Sequence, residues 1–314
     1  MAEITKSIYA GAVPMRKRRS VIMELPMRFI KTKPLGTVGA VIVLLLLFVG
    51  IFADWIAPFD YNESFVGGKL EAPSGAHWMG TDNVGRDLYS RIVHGARVSM
   101  FVGLGVSAIA TVLNAVIGLA SGFIGGKFDL FMQRFVDAWI CFPALFVILT
   151  FMALIGSGTG QVIIVLGVLG GIGGSRLMRS AVISIKQNVY VEAARAIGCP
   201  SRTIIIKHIL PNVAAPLIII FTLGLGGAIL AEASVSFLGY GIPPPIPSWG
   251  GMLSGPARRY MIQAPWMAIF PGVALSVVVY GANMFGDALR DLLDPRLRGG
   301  LGRYSGVKAK KPIT

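Results

Sequence analysis

The sequence predicts an all-α integral membrane protein with six transmembrane helices, and three observations support that fold class. Of its 314 residues, 54% are hydrophobic and 14% are charged, whereas a soluble domain carries roughly 25% charged residues. Several uncharged stretches are long enough to cross a membrane. The basic residues, which give a net charge of +14, lie between and outside those stretches. This composition argues against an ordinary cytosolic enzyme and excludes a disordered chain.

The spans follow from length and hydropathy. A membrane helix needs about 20 mostly apolar residues, because a rise of ~1.5 Å per residue must cover a hydrocarbon core of ~30 Å. The uncharged stretch at residues 138–175 has 38 residues, or roughly 57 Å as one helix, which is too long for one crossing. The turn-forming sequence Gly-Ser-Gly-Thr-Gly at 156–160 divides it into two helices. The uncharged stretches are residues 35–53, 98–126, 138–175, 213–231 and 260–286.

The basic residues predict the sidedness of the chain. Both tails, a short turn with Lys127 and Arg134, and the loop between the fourth and fifth spans carry all but six of the 29 lysines and arginines. With six spans these segments share one side, and the positive-inside rule predicts that both termini are cytoplasmic. The basic tails are therefore interpreted as topology signals and not as nucleic-acid patches. The six basic residues predicted outside are Lys69, Arg86, Arg91, Arg97, Arg258 and Arg259.

These assignments divide the chain into five regions. The first apolar run is longer than that of a cleavable signal peptide and no small-x-small site follows it, so we expect it to remain as a membrane helix. The predicted regions are a cytoplasmic basic segment at 1–34, the first transmembrane helix at 35–57, a periplasmic or extracellular segment at 58–97, a core at 98–288 with five transmembrane helices and a cytoplasmic loop at 185–211, and a cytoplasmic tail at 289–314.

Two segments are predicted to lie on the outside. The first includes His77, Asp82 and Asp87, but their spacing matches no metal site, and a solvated, turn-rich loop is the expected structure. The second, residues 242–251, has four prolines in five positions, which forbid a regular helix. We expect it to form a stiff, extended piece that caps the outer mouth of the bundle.

The spans themselves carry little recognisable chemistry. Residues 170–174 are glycine-rich, but the Lys-Ser/Thr of a phosphate loop does not follow, and the sequence contains no Walker A motif. Ionisable residues lie near span ends and no nucleophile–base pair is recognisable, which argues against an ion-coupled carrier and against intramembrane catalysis. Asn114 is the most central polar residue and is expected either to form an interhelical hydrogen bond or to line a pathway. The spans show no convergent polar constellation. Glycine pairs such as Gly118 and Gly122 are spaced for close helix packing.

The cytoplasmic loop at 185–211 is the most informative segment. Residues 189–197 contain helix formers and follow a potential cap, Asn188; the predicted helix stops at Gly198, with Pro200 just beyond. A second short helix is predicted from Ser201 to Pro211. The loop is therefore a helix–turn–helix outside the bilayer, whose small face of two adjacent alanines lets another protein approach closely. The alternative is an amphipathic loop that rests on lipid headgroups.

The sequence Glu192-Ala193-Ala194-x3-Gly198, followed by Leu210-Pro211, resembles the EAA signature of binding-protein-dependent ABC importer permeases. In that family the signature forms the coupling helix, which fits a groove of the cytoplasmic ATPase. The resemblance implies the type I permease fold of ABC importers. His208 departs from the motif, where an apolar residue is usual.

Four further pieces make the chain similar to the C-type subunit of dipeptide and oligopeptide permeases. The resemblance covers roughly residues 35–299, nearly the whole chain. The pieces are Gly80-Thr81-Asp82-x2-Gly85-Arg86-Asp87, Gly95-Ala96-Arg97-Val98-Ser99, Pro247-Ser248-Trp249-Gly250 and Asp291-Leu292-Leu293-Asp294-Pro295-Arg296.

The resemblance implies partners that supply what the chain lacks. ATP and Mg are expected on two ABC ATPase subunits, so this chain is expected to bind no cofactor or metal and not to be an enzyme. A homologous second permease subunit is expected to complete the pathway as a heterodimer, and an extracytoplasmic binding protein to deliver di- or oligopeptides. The expected location is a bacterial or archaeal plasma (inner) membrane, in contact with lipid, and nucleic acid is not an expected partner.

The resemblance also assigns roles to residues. Gly198 is expected to supply the bend of the coupling loop, and Glu192 to cap the helix, to pair with Arg195 or to meet a basic residue of the ATPase. The coupling residues are Glu192, Ala193, Ala194, Arg195, Gly198, Leu210 and Pro211. The candidates for contact with the binding protein are Asp82, Arg86, Asp87, Pro247 and Trp249.

Three alternatives remain at this point. The same machinery would also suit a nickel complex, glutathione or a sugar. A secondary carrier would need a functional carboxylate or paired broken helices in inverted halves. A structural or lipid-sensing membrane protein would not need a coupling loop, so deletion of that loop would leave its activity intact.

Overall fold

The computed structural model describes residues 29–30 and 32–293, so the predicted basic segment before residue 29 and the tail after residue 293 lie outside the described residues. Within the described ranges the only pairing of β type is an isolated bridge between Thr81 and Asp87. The helices are α1 Pro34–Ile51, α2 Ala53–Ile56, α3 Leu88–Ile124, α4 Gly126–Cys141, α5 Ala144–Ile155, α6 Thr159–Lys186, α7 Val189–Ala196, α8 Ser201–Thr203, α9 Ala214–Phe237, α10 Trp249–Leu253, α11 Gly255–Arg259 and α12 Trp266–Leu293.

Five helices of the described chain, α1, α3, α6, α9 and α12, are long and apolar enough to cross a membrane. Helices α4 and α5 meet at a bend of 86° and provide a sixth crossing if the pair counts as one span. The chain enters α1 and leaves α12 at the same end of the bundle, because Lys33 Nζ lies 2.6 Å from Asp291 Oδ2. A chain whose first and last spans start and finish at the same end of the bundle must cross it an even number of times, which six crossings satisfy. The all-α fold with five to six candidate transmembrane helices agrees with the prediction.

Helix α7 lies at the end of the bundle where α6 ends and α9 begins, which we call the α7 end. Residues 52–97 lie at the opposite end, which we call the α2 end. There, Arg97 of α3 contacts Asp54 of α2, with 2.8 Å between Nη2 and Oδ2.

The helix that contains the second predicted span begins at Leu88, ten residues before the span predicted from residue 98. The charged residues of its first turns were predicted to lie in a loop, but in the folded chain they lie in the helix and form hydrogen bonds with backbone carbonyls. Arg91 Nη1 donates to the carbonyl oxygen of Tyr61 at 2.8 Å, and Arg97 Nε donates to that of Gly50 at 2.9 Å. Helix α9 likewise continues past Glu232, where the charge was expected to mark its end.

The segment between the second and fourth spans also differs from the prediction. The basic turn expected at 127–134 is part of helix α4, which lies against α6, and Arg179 Nε donates to Asp129 Oδ1 at 2.6 Å. The chain bends at Phe142, whose extended conformation is the one favoured before Pro143. Helix α5 has 12 residues, about 18 Å at ~1.5 Å each, and it ends at the predicted glycine-rich break.

Helices α3 and α6 pack closely along their length, and glycine makes this possible. A Cβ at Gly118 would lie 2.6 Å from Met178 Cβ, and a Cβ at Gly171 would lie 2.6 Å from Leu113 Cβ. Real Cβ atoms do not approach so closely, so larger residues would force the helices apart. The prediction of close packing from glycine spacing is confirmed for this pair.

Candidate functional site

Helix α7 presents one buried and one exposed face. Val191 and Ala194, three residues apart, are buried at the α7 end, whereas Ala193 is exposed. The predicted small face formed by both alanines is therefore wrong, because residues adjacent in a helix point about 100° apart. The exposed apolar residues beside Ala193 are Val189, Tyr190 and Ile197. The buried cluster under α7 also contains Met178, Val182, Ile204, Ile209 and Val213.

Gly198 ends α7 in a Schellman motif. Its φ is +79°, in the left-handed region that glycine adopts without steric cost. The N–H of Gly198 donates to the carbonyl of Arg195 at 2.9 Å, and the N–H of Cys199 donates to that of Ala194 at 3.0 Å. These two bonds are those of the motif, and Cys199 packs against the buried cluster. The prediction that the helix stops at Gly198 is confirmed.

The charged residues of α7 have different surroundings. The Arg195 guanidinium lies 5.5 Å from the centre of the Phe123 ring, and Lys186 Nζ donates to the Phe123 carbonyl oxygen at 2.6 Å. Glu192 is exposed and forms no ion pair within the described chain, so the local pair with Arg195, one of its three possible roles, is not formed. Asn188 does not cap the helix through its side chain, because its Nδ2 donates to the carbonyl of Ile185 instead.

The second half of the hairpin is helical but irregular. It runs through α8, a π-helical segment at Ile204–Ile209 and a 3-10 turn at Leu210–Asn212. Leu210 packs against the buried cluster, whereas Pro211 is exposed. His208, the residue that departs from the motif, contacts the ring of Tyr190 at 6.3 Å between ring centres. The helix–turn–helix prediction is confirmed in outline, with π geometry in place of a second regular helix.

At the α2 end, residues 79–87 form a largely buried cap before α3, whereas residues 62–76 are mostly exposed, so the expected solvated loop is wrong for Asp82 and Asp87. Asp87 Oδ2 accepts hydrogen bonds from the N–H and the hydroxyl of Ser90, both at 2.8 Å, and so caps α3. Asp87 Oδ1 lies 3.0 Å from His77 Nδ1. Asp82 Oδ2 pairs with Arg86 Nε at 2.6 Å. These partners offset the cost of burying polar groups. Within the described ranges, no group of three or more His, Cys, Asp or Glu residues is placed to hold a metal ion.

The burial of this cap changes the candidates for contact with a binding protein. The side chains of Asp82, Asp87, Pro247 and Trp249 lie inside the chain, and only Arg86 is partly exposed. Trp249 Nε1 donates to the carbonyl of Ile92 in α3 at 3.1 Å. In this conformation four of the five predicted contacts therefore hold the α2 end together instead of facing solvent.

Asn114 lines a cavity of about 600 Å³ between α3, the α4–α5 pair, α6 and α9. Its Nδ2 donates to the Ala110 carbonyl of its own helix at 2.8 Å, while its Oδ1 is buried and has no hydrogen-bond partner within the described chain. The predicted interhelical hydrogen bond is therefore absent. Sequence reasoning missed two other residues of this cavity, Ser107 and Trp139. For Ser107 the available signal was its spacing of seven residues from Asn114 on one face of α3.

A bundle with five to six candidate spans, an exposed helix at one end and an internal cavity is the architecture of a multi-pass membrane permease subunit. The chain belongs to the family described as binding-protein-dependent transport system inner membrane component, whose model matches residues 114–299. Residues 27–73 match the N-terminal transmembrane domain of oligopeptide transport permease C. Membership implies that the chain works in the membrane as a transport component with ATPase and binding-protein partners.

Two relatives illustrate the similarity. The dipeptide transport system permease protein DppC of Alkalihalophilus pseudofirmus is 38% identical over 269 residues, which cover 86% of this chain and 88% of the relative. The glutathione transport system permease protein GsiD of Escherichia coli O6:K15:H31 is 37% identical over 273 residues, or 87% of this chain and 90% of the relative. The resemblance predicted from the motifs is confirmed.

Proposed function

We propose that this chain forms half of the translocation pathway of an ATP-driven importer of di- and oligopeptides. A homologous permease subunit supplies the other half in a heterodimer, and two ATPase subunits bind ATP and Mg. The peptide substrate is supported by the relative named as a dipeptide permease, and glutathione, the substrate in the other relative's name, also contains amide bonds. The chain itself performs no catalysis in this proposal and binds no cofactor.

The proposal assigns the α7 end and both termini to the cytoplasm of a bacterial or archaeal cell. The excess of lysine and arginine in the two tails and in the loop at 185–211 supports this orientation. The ion pair of Lys33 with Asp291 supports an even number of crossings. The α2 end then faces outward and receives the binding protein, through Arg86 and the exposed residues 243–246.

Helix α7 is the proposed coupling helix, and the observation that carries this assignment is its exposed face. Val189 and Ile197 are 81% and 79% exposed, although the inner face of the same helix is fully buried. Such an apolar strip on a rigidly anchored helix suits a groove on another protein. The small side chain of Ala193 lets the groove of the ATPase approach α7 closely. The unpaired Glu192 is available to a basic residue of the ATPase. Ala194, Arg195, Leu210 and Pro211 position the helix.

Affinity purification of the chain from its native membrane tests the assembly. The proposal predicts recovery of a second six-span permease, Walker-containing ATPases and, under mild conditions, a binding protein. Recovery of the chain alone or only as a homo-oligomer, under detergent conditions that preserve a known importer complex, would contradict the proposal and favour a secondary carrier.

Matched variants test the coupling face. Ala193→Trp should lower the yield of co-purified ATPase at least about tenfold, because ~1.4 kcal/mol of lost interface energy has that effect. Its thermal stability should not change, since Ala193 is exposed. Ala76→Trp, an exposed alanine at the opposite end, should retain the ATPase. Equal ATPase recovery from both variants would contradict the proposed surface.

A further inference from the structure

A groove of about 320 Å³ separates part of α1 from the helices behind it. At one end of the groove α1 packs on α12, where a Cβ at Gly39 would lie 2.5 Å from the carbonyl oxygen of Gly281. At the other end α1 packs on α3, where a Cβ at Gly50 would lie 3.0 Å from Met100 Sδ. The α1 residues that line the groove lie between positions 40 and 47, and α3, α9 and α12 supply the other walls. The groove is therefore bounded along α1 by two close helix contacts.

The groove lies at the depth of the bilayer core. Lys33 precedes α1 and pairs with Asp291. Asp54 follows α1 and pairs with Arg97. Lys33 and Asp54 are 21 positions apart, or about 32 Å as a helix at ~1.5 Å per residue, which matches the ~30 Å of a hydrocarbon core. The groove begins 7 positions and ends 14 positions from Lys33, so it occupies the middle third of that distance.

The walls of the groove are apolar. None of the described residues that line it is charged, and Ser99 and Thr222 are the only ones with a hydroxyl or amide side chain. The hydroxyl of Ser99 has almost no accessible surface. Thr222 Oγ1 donates to the carbonyl oxygen of Ile218 in its own helix at 2.9 Å. Water would find no polar partners in such a space, so the occupant must be apolar.

The groove is open on one side and is large enough for part of an acyl chain. Leu44 in its wall is 63% exposed, whereas Met100 and Leu225 are 7% and 8% exposed, so a chain can enter sideways past Leu44. A dry apolar cavity of ~150 Å³ holds benzene, which has six carbon atoms. On that scale the groove holds roughly twelve carbon atoms, the terminal part of one acyl chain.

We propose that this groove binds one acyl chain of a membrane phospholipid. Hydrocarbon surrounds the protein at this depth, and an empty groove would leave its walls without van der Waals contacts. The bound chain completes the packing of α1 against α3 and α9. Lipid tails outside are as apolar as the groove, so packing and not the hydrophobic effect favours the bound chain, which exchanges with the bilayer. The site does not depend on what the protein transports.

Photocrosslinking in proteoliposomes tests the site. The complete complex is reconstituted in phosphatidylethanolamine and phosphatidylglycerol that contain a trace of phosphatidylcholine with a diazirine near the end of one acyl chain. After illumination, mass spectrometry identifies the labelled residues of this chain. Label is expected at Met100 and Leu225, which line the groove and are almost closed to the surrounding lipid. Leu45, which is 58% exposed and lies outside the groove, is the reference for labelling by the surrounding lipid.

Two neighbouring positions of α1 supply a matched pair of variants. Ala40→Phe places a ring in the groove and should lower the ratio of label at Leu225 to label at Leu45 at least about tenfold, because ~1.4 kcal/mol of overlap with the chain has that effect. Val41→Phe adds a ring to an exposed residue outside the groove and should leave the ratio unchanged. Ala40→Leu fills less of the groove and should lower the ratio in the same direction should Ala40→Phe fail to assemble.

The wild type alone already decides whether a chain enters. Label at Leu45 without label at Met100 or Leu225 would overturn the site, and a side chain of a partner subunit or an inward shift of α1 would then close the groove. An unchanged ratio in both Ala40 variants would also overturn it, because the label would reach Leu225 by another route. Equal losses in Ala40→Phe and Val41→Phe would do the same, since only one of the two rings lies in the groove.

Discussion

Substitution of Gly198 tests whether the end of α7 transmits the movement of the ATPase to the transmembrane helices. At φ +79° a residue with a Cβ pays about 1–2 kcal/mol for the left-handed conformation, and a β-branched residue pays most. No atom lies within 4 Å of the position that a Cβ would occupy, so the effect of Gly198→Val is confined to the backbone. A cost of that size lowers the equilibrium constant between the intact and the unwound α7 end about 5- to 30-fold.

The assay is ATP-driven uptake of a labelled dipeptide by the reconstituted complex, with ATP hydrolysis measured in parallel. Gly198→Val should lower uptake per ATP hydrolysed by up to that factor of about 5 to 30, because the unwound end of α7 no longer follows the ATPase. The thermal stability of the chain should fall by no more than the same ~1–2 kcal/mol, since no side-chain contact of the cluster under α7 is removed.

Gly198→Asn is the matched control, because asparagine adopts the left-handed region more readily than other residues with side chains. Its uptake should lie close to that of the wild type. Wild-type uptake per ATP in Gly198→Val would refute the reasoning. Equal losses in both variants would show that the side chain, and not the backbone conformation, is what the ATPase senses.

Two further predictions concern the α2 end. Trp249→Phe should lower the melting temperature through loss of one buried hydrogen bond, about 1 kcal/mol, and should leave the affinity for the binding protein unchanged. An unchanged melting temperature with a weaker affinity would instead show that Trp249 contacts the binding protein. Hydrogen bonds from Arg97 hold the pKa of the Asp54 carboxyl, beyond the end of α1, below its ordinary value. The stabilisation by Asp54 is therefore fully present above the ordinary pKa of the carboxyl and is lost as the pH falls through the lowered pKa. The melting temperatures of the wild type and Asp54→Asn should differ by a constant amount above about pH 5 and should converge in stronger acid. A difference that persists in strong acid would contradict this account.

The sequence predicted those parts of the molecule that depend on local pattern. The apolar runs gave the long helices, the glycine spacing gave the contact of α3 with α6, and the Gly198–Pro200 signal gave the end of α7. Each of these features depends on the length of a run, on the absence of a side chain or on a backbone conformation. Residues close in sequence suffice to determine all three.

The errors arose where distant residues decide. Arg91 and Arg97 looked like loop residues because their partners lie some 30 to 47 positions away in sequence. Asp82 and Asp87 looked solvated for a different reason, because their hydrogen-bond donors are close in sequence but point at the carboxylates only in the folded turn. The cavity was missed because its walls come from α3, the α4–α5 pair, α6 and α9, which only the folded bundle brings together.

Uptake by proteoliposomes tests the central claim most directly. The complex of this chain with its partner subunits is reconstituted with ATP inside or outside, and entry of labelled alanyl-alanine is followed with and without the binding protein. The account predicts uptake that requires both ATP on the α7 side and the binding protein on the α2 side. Uptake that persists without ATP and follows an imposed proton or sodium gradient would contradict it and identify a secondary carrier.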